Sequence, residues 1–202
     1  MAKYDSDDRH LYPGTGVLIN RLNIRDQAEL DAAEAEIVLI ATLEIGATPL
    51  PEPSGGPDFS YLRSIHQALF RDIYLWAGTV RDVDIAKGGN RFAHWRFIEP
   101  EGTRLAAELA RENWLSGLAA APFADQMAWY LGELNVLHPF RDGNGRALRE
   151  YVRYLAAKAG HPLTWDGVSP KEMLSASIAS YRGETSPLAA LLLRQIERCE
   201  PD

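Results

Sequence analysis

The sequence has a single cysteine, no long apolar run and no excess of basic side chains. Because Cys199 has no partner among the 202 residues, no internal disulfide can form, which is typical of a protein in a reducing cytoplasm. The opening segment MAKYDSDDRH lacks the apolar centre of a secretory signal, and no run approaches the length that crosses a bilayer. We therefore expect a cytoplasmic protein that does not associate with membranes.

The charge balance excludes a general nucleic-acid binder. The formal net charge is −7, whereas non-specific duplex binding requires many phosphates to be neutralised by lysine and arginine. A composition of 46% hydrophobic and 24% charged residues is typical of a folded globular protein. We expect one domain over residues 1–202, with a protein or nucleotide partner and no direct contact with nucleic acid.

Helical spacing of apolar residues dominates the chain. It predicts helices over residues 26–45, 60–76, 102–118, 123–137 and 146–159, and two more between 170 and 197 that are separated near 183–187. The proline- and glycine-rich segment GATPLPEPSGGPD predicts a loop after the first helix. The fold class is therefore mainly α.

One segment departs from helical spacing. In TVRDVDIAKGGNRFAHWRFI the apolar residues alternate up to Lys87-Gly88-Gly89-Asn90 and resume at Phe92, which predicts a β-hairpin with a glycine-rich tip. An isolated hairpin is only marginally stable, so this one must pack against the rest of the protein.

The segment HPFRDGNGRALR carries the residues expected of a phosphate-binding loop. Gly143, Asn144 and Gly145 directly precede a predicted helix, whose first amides and positive dipole end attract anions. Arg146 and Arg149 lie one turn apart on one face of that helix, where two guanidinium groups could hold successive phosphates. This spacing favours binding of a polyphosphate.

The same segment supplies candidates for metal binding and proton transfer. Asp142 is a natural ligand for Mg²⁺, which takes one or two carboxylates together with phosphate oxygens. His138 can withdraw a proton from a hydroxyl near neutral pH, and Pro139 predicts that this histidine is extended at the mouth of a loop. Phe140 is the expected apolar anchor of the loop.

Each of these features alone is more often ordinary structure. A histidine before proline commonly caps a helix, Asp-Gly-Asn-Gly is commonly a turn, and paired arginines commonly form a solvated face. Their ordered combination favours a site that transfers part of a magnesium-bound nucleotide onto a hydroxyl group.

The loop HPFRDGNGRALR resembles the Fic-family motif HxFx(D/E)GNGRxxR at every specified position. The segments LYPGTGVLINRLNI and RDVDIAKGGNRFAH also resemble the corresponding parts of bacterial Fic toxins. The resemblance implies a Fic fold, which is a helical bundle with a small β-hairpin flap. It places the core at about 60–197 and an N-terminal helical extension at about 1–45.

The resemblance further implies transfer of AMP from ATP to a hydroxyl side chain of a target protein, with release of pyrophosphate. His138 would be the base and Asp142 the ligand of Mg²⁺. Arg146 would bind phosphate near the leaving group, and Arg149 would hold the γ-phosphate. The phosphates would also contact Gly143, Asn144 and Gly145. The target would pair with the main chain of the flap, which comprises Lys87, Gly88, Gly89, Asn90 and Phe92.

Regulation is inferred from a missing motif. Fic proteins are commonly restrained by a helix with (S/T)xxxE(G/N), and the nearest segment, SYRGET at 180–185, departs from this pattern. We therefore expect restraint by a separate small antitoxin whose glutamate pairs with Arg149. Similar bacterial toxins make DNA gyrase and topoisomerase IV the expected targets.

Two alternatives remain open at this stage. Relatives of the fold act as kinases or attach UMP or phosphocholine, although Gly145 favours the AMP-transferring orientation. The other alternative is a non-catalytic nucleotide-binding module, which would be typical of a degenerate motif.

Overall fold

The computed structural model describes residues 8–87 and 90–198, and this part of the chain forms seven α-helices and one hairpin. The helices are α1 (Gln27–Ala47), α2 (Phe59–Phe70), α3 (Ile98–Arg111), α4 (Ala120–Leu137), α5 (Asn144–Ala159), α6 (Pro170–Tyr181) and α7 (Ser186–Glu197). The hairpin strands are β1 (Ala86–Lys87) and β2 (Asn90–Arg91). The predicted mainly α fold class is confirmed. No helix in this part of the chain has the length and hydropathy of a membrane span. Gly88, Gly89 and Cys199 lie outside the described residues.

Several helices begin at a side chain that hydrogen-bonds to an otherwise unpaired backbone amide. The Asp26 carboxylate accepts a hydrogen bond from the Glu29 amide at 2.9 Å where α1 begins, and Ser169 caps α6 in the same way through the Glu172 amide at 3.1 Å. Helix α5 ends at Gly160, which adopts a left-handed φ of 89°. These signals explain why the predicted bounds of α1, α5 and α6 agree closely with the structure. The bounds of α7 agree as well, with Pro187 in its first turn.

The predicted bounds of α2 are wrong at its C-terminal end. The helix stops at Phe70 instead of residue 76, because the Ile73 and Tyr74 amides both donate to the Phe70 carbonyl and turn the chain. Ile73 and Trp76 continue the apolar pattern since they still pack on the core after the turn. The turn brings Tyr74 against α1.

The bounds predicted for α3 and for the hairpin are also wrong. Helix α3 covers Ile98–Arg111 instead of 102–118, and a short 3-10 helix at Asn113–Leu115 with positive φ angles follows it. Each hairpin strand has two residues, fewer than the alternation predicts. The second strand is followed by a 3-10 helix at Trp95–Phe97, where the Asp84 carboxylate accepts a hydrogen bond from the Trp95 amide.

Helix α4 lies at the centre of the bundle. It packs against α3, α5, α6 and α7, while α2 packs against both α1 and α5. The predicted apolar stripe of α4 is buried, and it comprises Met127, Tyr130, Leu131 and Leu134. The loop between α4 and α5 therefore begins and ends on helices that are fixed by the core.

Candidate active site

His138 is the last residue of α4's C-terminal turn, and its backbone is left-handed, with φ 48° and ψ 63°. The expectation that Pro139 makes this residue extended is wrong. The His138 amide closes the final helical turn by donating to the Leu134 carbonyl at 3.0 Å, and helices commonly end with a left-handed residue. This conformation turns the chain sharply into the loop.

The imidazole of His138 is held in one protonation state. Its Nδ1 lies 3.1 Å from the Asn135 carbonyl, which can only accept, so Nδ1 carries the proton and Nε2 carries the lone pair. The ring stacks on Phe92, with centroids 3.7 Å apart. Burial lowers the pKa of His138 to about 4, so the ring is neutral at pH 7. A neutral imidazole is what a general base requires.

Arg81 anchors the end of α4, a role that the sequence does not predict. Its buried guanidinium donates to the carbonyls of His138 at 2.8 Å, Val83 at 2.7 Å, Leu137 at 3.2 Å and Ala93 at 2.5 Å. One side chain thus joins the histidine's backbone to the base of the hairpin. An arginine within an alternating apolar segment is the available sequence signal.

The side chain of Asn144 fastens the loop. Its Oδ1 accepts from the Phe140 amide and its Nδ2 donates to the Phe140 carbonyl, both at 2.8 Å. Since the side chain is buried and committed to these bonds, Asn144 can contribute to anion binding only through its backbone amide. Phe140 is fully buried, as the prediction of an apolar anchor requires.

Gly143 begins α5 with a left-handed φ of 77° and offers no side chain to cap the helix. A Cβ at this position would lie 2.4 Å from Cζ of Phe70, so only glycine fits. No side chain caps the start of α5, and Gly145 in its first turn is exposed, which is the arrangement that binds anions at helix starts.

Asp142 fits a magnesium ligand. Its buried carboxylate accepts from the Gly143 amide at 2.6 Å and lies at the same end of α5 as the glycine turn. Within residues 8–87 and 90–198, no group of three or more His, Cys, Asp or Glu side chains could hold a metal without the substrate. One protein carboxylate supplemented by phosphate oxygens is the donor set that Mg²⁺ takes in nucleotide sites.

His66 supports Asp142 from α2, and sequence reasoning missed it. Its Nδ1 accepts from the Gly78 amide at 2.9 Å, so Nε2 carries the proton that is donated to the Asp142 carbonyl at 2.9 Å. Burial lowers the pKa of His66 to about 4, which keeps the ring neutral. The ring also stacks on Phe140 with centroids 3.8 Å apart. A lone histidine on an apolar helix face was the only available sequence signal.

The two motif arginines have different surroundings. Arg146 forms an ion pair with Glu34 of α1 at 2.5 Å and lies over the Phe70 ring at 4.6 Å. Burial and the nearby Arg146 lower the pKa of Arg149, and no carboxylate in the described chain forms an ion pair with it. Glu184 of the SYRGET segment is exposed between α6 and α7. The two arginines therefore differ: Arg146 is paired with α1, whereas Arg149 has no ion-pair partner among the described residues.

The hairpin lies beside His138. Lys87 pairs with Asn90, and the Phe92 amide donates to the Ile85 carbonyl at 3.3 Å. Tyr181 of α6 donates from its hydroxyl to the Arg91 carbonyl at 3.0 Å. A small apolar cluster, separate from the main core, is formed by Val83, Ile85 and Phe92. The hairpin therefore packs against the bundle, as predicted.

Comparison with known proteins gives the family. The model of the Fic/DOC family matches residues 57–156, which include the whole loop. A probable protein adenylyltransferase Fic of Escherichia coli is 39% identical over 191 residues, which cover 94% of this chain and 92% of that protein. The chain belongs to the Fic/DOC family.

Other Fic proteins support the same assignment. Protein adenylyltransferase VbhT of Bartonella schoenbuchensis is 44% identical over 197 residues, which cover 97% of this chain but only 41% of VbhT. The crystal structure of BepC from Bartonella tribocorum with bound AMPPNP superposes with a TM-score of 0.85 at 30% identity. That match covers 94% of this chain and 96% of the crystallised BepC chain, and it confirms the predicted Fic fold.

Proposed function

We propose that this chain is a protein adenylyltransferase that transfers AMP from ATP to a hydroxyl side chain of a target protein. The proposal rests on a neutral, buried His138 that lies across the loop from an anion-binding helix start carrying two arginines. The names of the Fic relatives and the nucleotide bound to BepC are consistent with this activity.

The chemistry follows from the groups in the loop. Nε2 of His138 accepts the proton of the incoming hydroxyl as its oxygen bonds to the α-phosphorus, and the bond to pyrophosphate breaks. Arg146 and Arg149 counter the charge that develops on the departing phosphates. Asp142 would hold Mg²⁺ together with phosphate oxygens, and the ion would neutralise further phosphate charge.

Labelled nucleotides test the reaction. Incubation with α-labelled ATP should label protein, whereas γ-labelled ATP should not; label from the γ position alone would instead show a kinase. His138→Ala should abolish labelling while ATP binding is retained, since binding does not need the base. Full labelling by His138→Ala would refute general-base catalysis. Retained cellular toxicity in that variant would favour a binding module.

We also propose that a separate small antitoxin restrains the enzyme by placing a glutamate against Arg149. The absence of an ion-pair partner for Arg149 in the described chain supports this. The purified chain should then transfer AMP without any added factor. An inactive chain that still binds ATP would argue against an external restraint.

The proposed targets are cytoplasmic DNA gyrase and topoisomerase IV, held by main-chain pairing to the flap. Mass spectrometry of a bacterial lysate after incubation with ATP and Mg²⁺ tests this directly. An AMP group on a subunit of either enzyme is the expected result. AMP exclusively on other proteins would exclude both targets.

A further inference from the structure

Glu34 lies far from the motif in sequence, yet its side chain reaches the active-site loop. It projects from α1 and is buried, while the neighbouring Glu36 on the same helix is exposed. One carboxylate oxygen, Oε1, pairs with Nη2 of Arg146 at 2.5 Å. The other, Oε2, accepts a hydrogen bond from the Tyr74 hydroxyl at 2.5 Å.

A buried carboxylate is costly unless both oxygens are satisfied. Here each oxygen has one strong partner. Burial and the neighbouring Glu34 raise the pKa of Tyr74, so the phenol keeps its proton and remains a donor. Tyr74 therefore fixes the carboxylate, and the carboxylate fixes Arg146.

The ion pair between Glu34 and Arg146 also offsets the repulsion between the two arginines of the site. Arg146 and Arg149 lie close enough for one guanidinium to lower the pKa of the other. Without a counter-charge, Arg146, whose side chain is 26% exposed, would be repelled from its neighbour toward solvent. Glu34 supplies the negative counter-charge from α1, and the Phe70 ring packs against one face of the Arg146 guanidinium.

We propose that Glu34 is a positioning residue that acts through Arg146, and that Tyr74 in turn orients Glu34. The inference deepens the proposed function, because it assigns to α1 the task of keeping two arginines together before ATP binds. It predicts that Glu34 affects phosphate handling only when Arg146 is present.

A double-mutant cycle tests the proposal on the full chain. Glu34→Gln, Arg146→Ala and the double variant are compared for ATP affinity, by titration with a fluorescent ATP analogue, and for AMP transfer. Glu34→Gln should lower kcat/KM for AMP transfer roughly tenfold, and add almost nothing in the Arg146→Ala background. Glu36→Gln is the matched control on the same helix and should match the wild type.

Other outcomes refute the proposal. An equal loss from Glu34→Gln in both backgrounds would show a purely structural role, and a gain in ATP affinity or transfer would show that Glu34 competes with phosphate. If the wild type transfers no AMP, the proposed function fails. The cycle in ATP affinity then still decides whether Glu34 acts through Arg146. Tyr74→Phe should show a smaller loss with the same dependence on Arg146.

Discussion

Arg81→Lys is expected to destabilise the protein and to misplace the base together. The guanidinium of Arg81 serves four backbone carbonyls, two of which belong to the end of α4 and two to the hairpin segment. A lysine keeps the positive charge but has a single nitrogen. It can reach about two of these acceptors, so the other two lose their donors in a buried site.

The magnitude follows from the lost bonds. A hydrogen bond to a charged group contributes about 1.5–3 kcal/mol, so the loss of two costs roughly 3–6 kcal/mol. For a chain of this length, that corresponds to a fall in Tm on the order of 10 °C. AMP transfer should also decrease, even at temperatures below the melting range, because the carbonyl of His138 loses its anchor.

Thermal unfolding followed by circular dichroism measures the first effect, and labelling with α-labelled ATP measures the second. Arg104→Lys is the matched control, since Arg104 pairs with Glu101 and Glu108 on the surface of α3. It should leave both Tm and activity unchanged. An Arg81→Lys protein that melts within about 2 °C of the wild type would refute the reasoning.

Three other outcomes are expected. Gly143→Ala should lower the free energy of unfolding in urea by roughly 2–5 kcal/mol, because of the positive φ at this position and the contact of a Cβ with Phe70. Adding Phe70→Leu should recover part of this loss, whereas strictly additive effects of the two substitutions would contradict the steric cause. Only neutral His138 accepts a proton, and the neutral fraction increases as the pH rises through the pKa. The acid limb of the kcat/KM profile should therefore lie near pH 4. An acid limb near pH 6.5 would contradict the effect of burial on this pKa. Combined Lys87→Ala and Phe92→Ala changes should reduce target modification more than autoadenylylation, whereas equal losses would contradict a target clamp.

Most helices and the glycine turn before α5 could be predicted because their signals are local. Apolar spacing sets the buried face of α4, side-chain caps mark the starts of α1 and α6, and glycine before α5 exposes its first amides. Local rules also misled where tertiary packing prevailed. The apolar pattern continues past Phe70, where the backbone has already turned.

The supporting residues could not be predicted, because their partners are distant in sequence. Arg81 reaches a carbonyl 57 residues away and His66 one that is 76 residues away. In α1 the apolar and polar residues are not separated onto two faces, so the sequence does not mark Glu34 as buried; only the packing of α1 on α2 shows that it points inward. A motif identifies reacting groups, whereas the residues that hold them depend on the assembled fold.

The ion pair between α1 and α5 limits how far this protein can be trimmed. Residues 57–156 contain every motif position and match the family model, yet they exclude Glu34. A version that starts at residue 57 would retain the loop while uncovering Tyr74 and leaving the Arg146 guanidinium without its carboxylate. A graft of this loop onto another scaffold should therefore include α1, which carries Glu34.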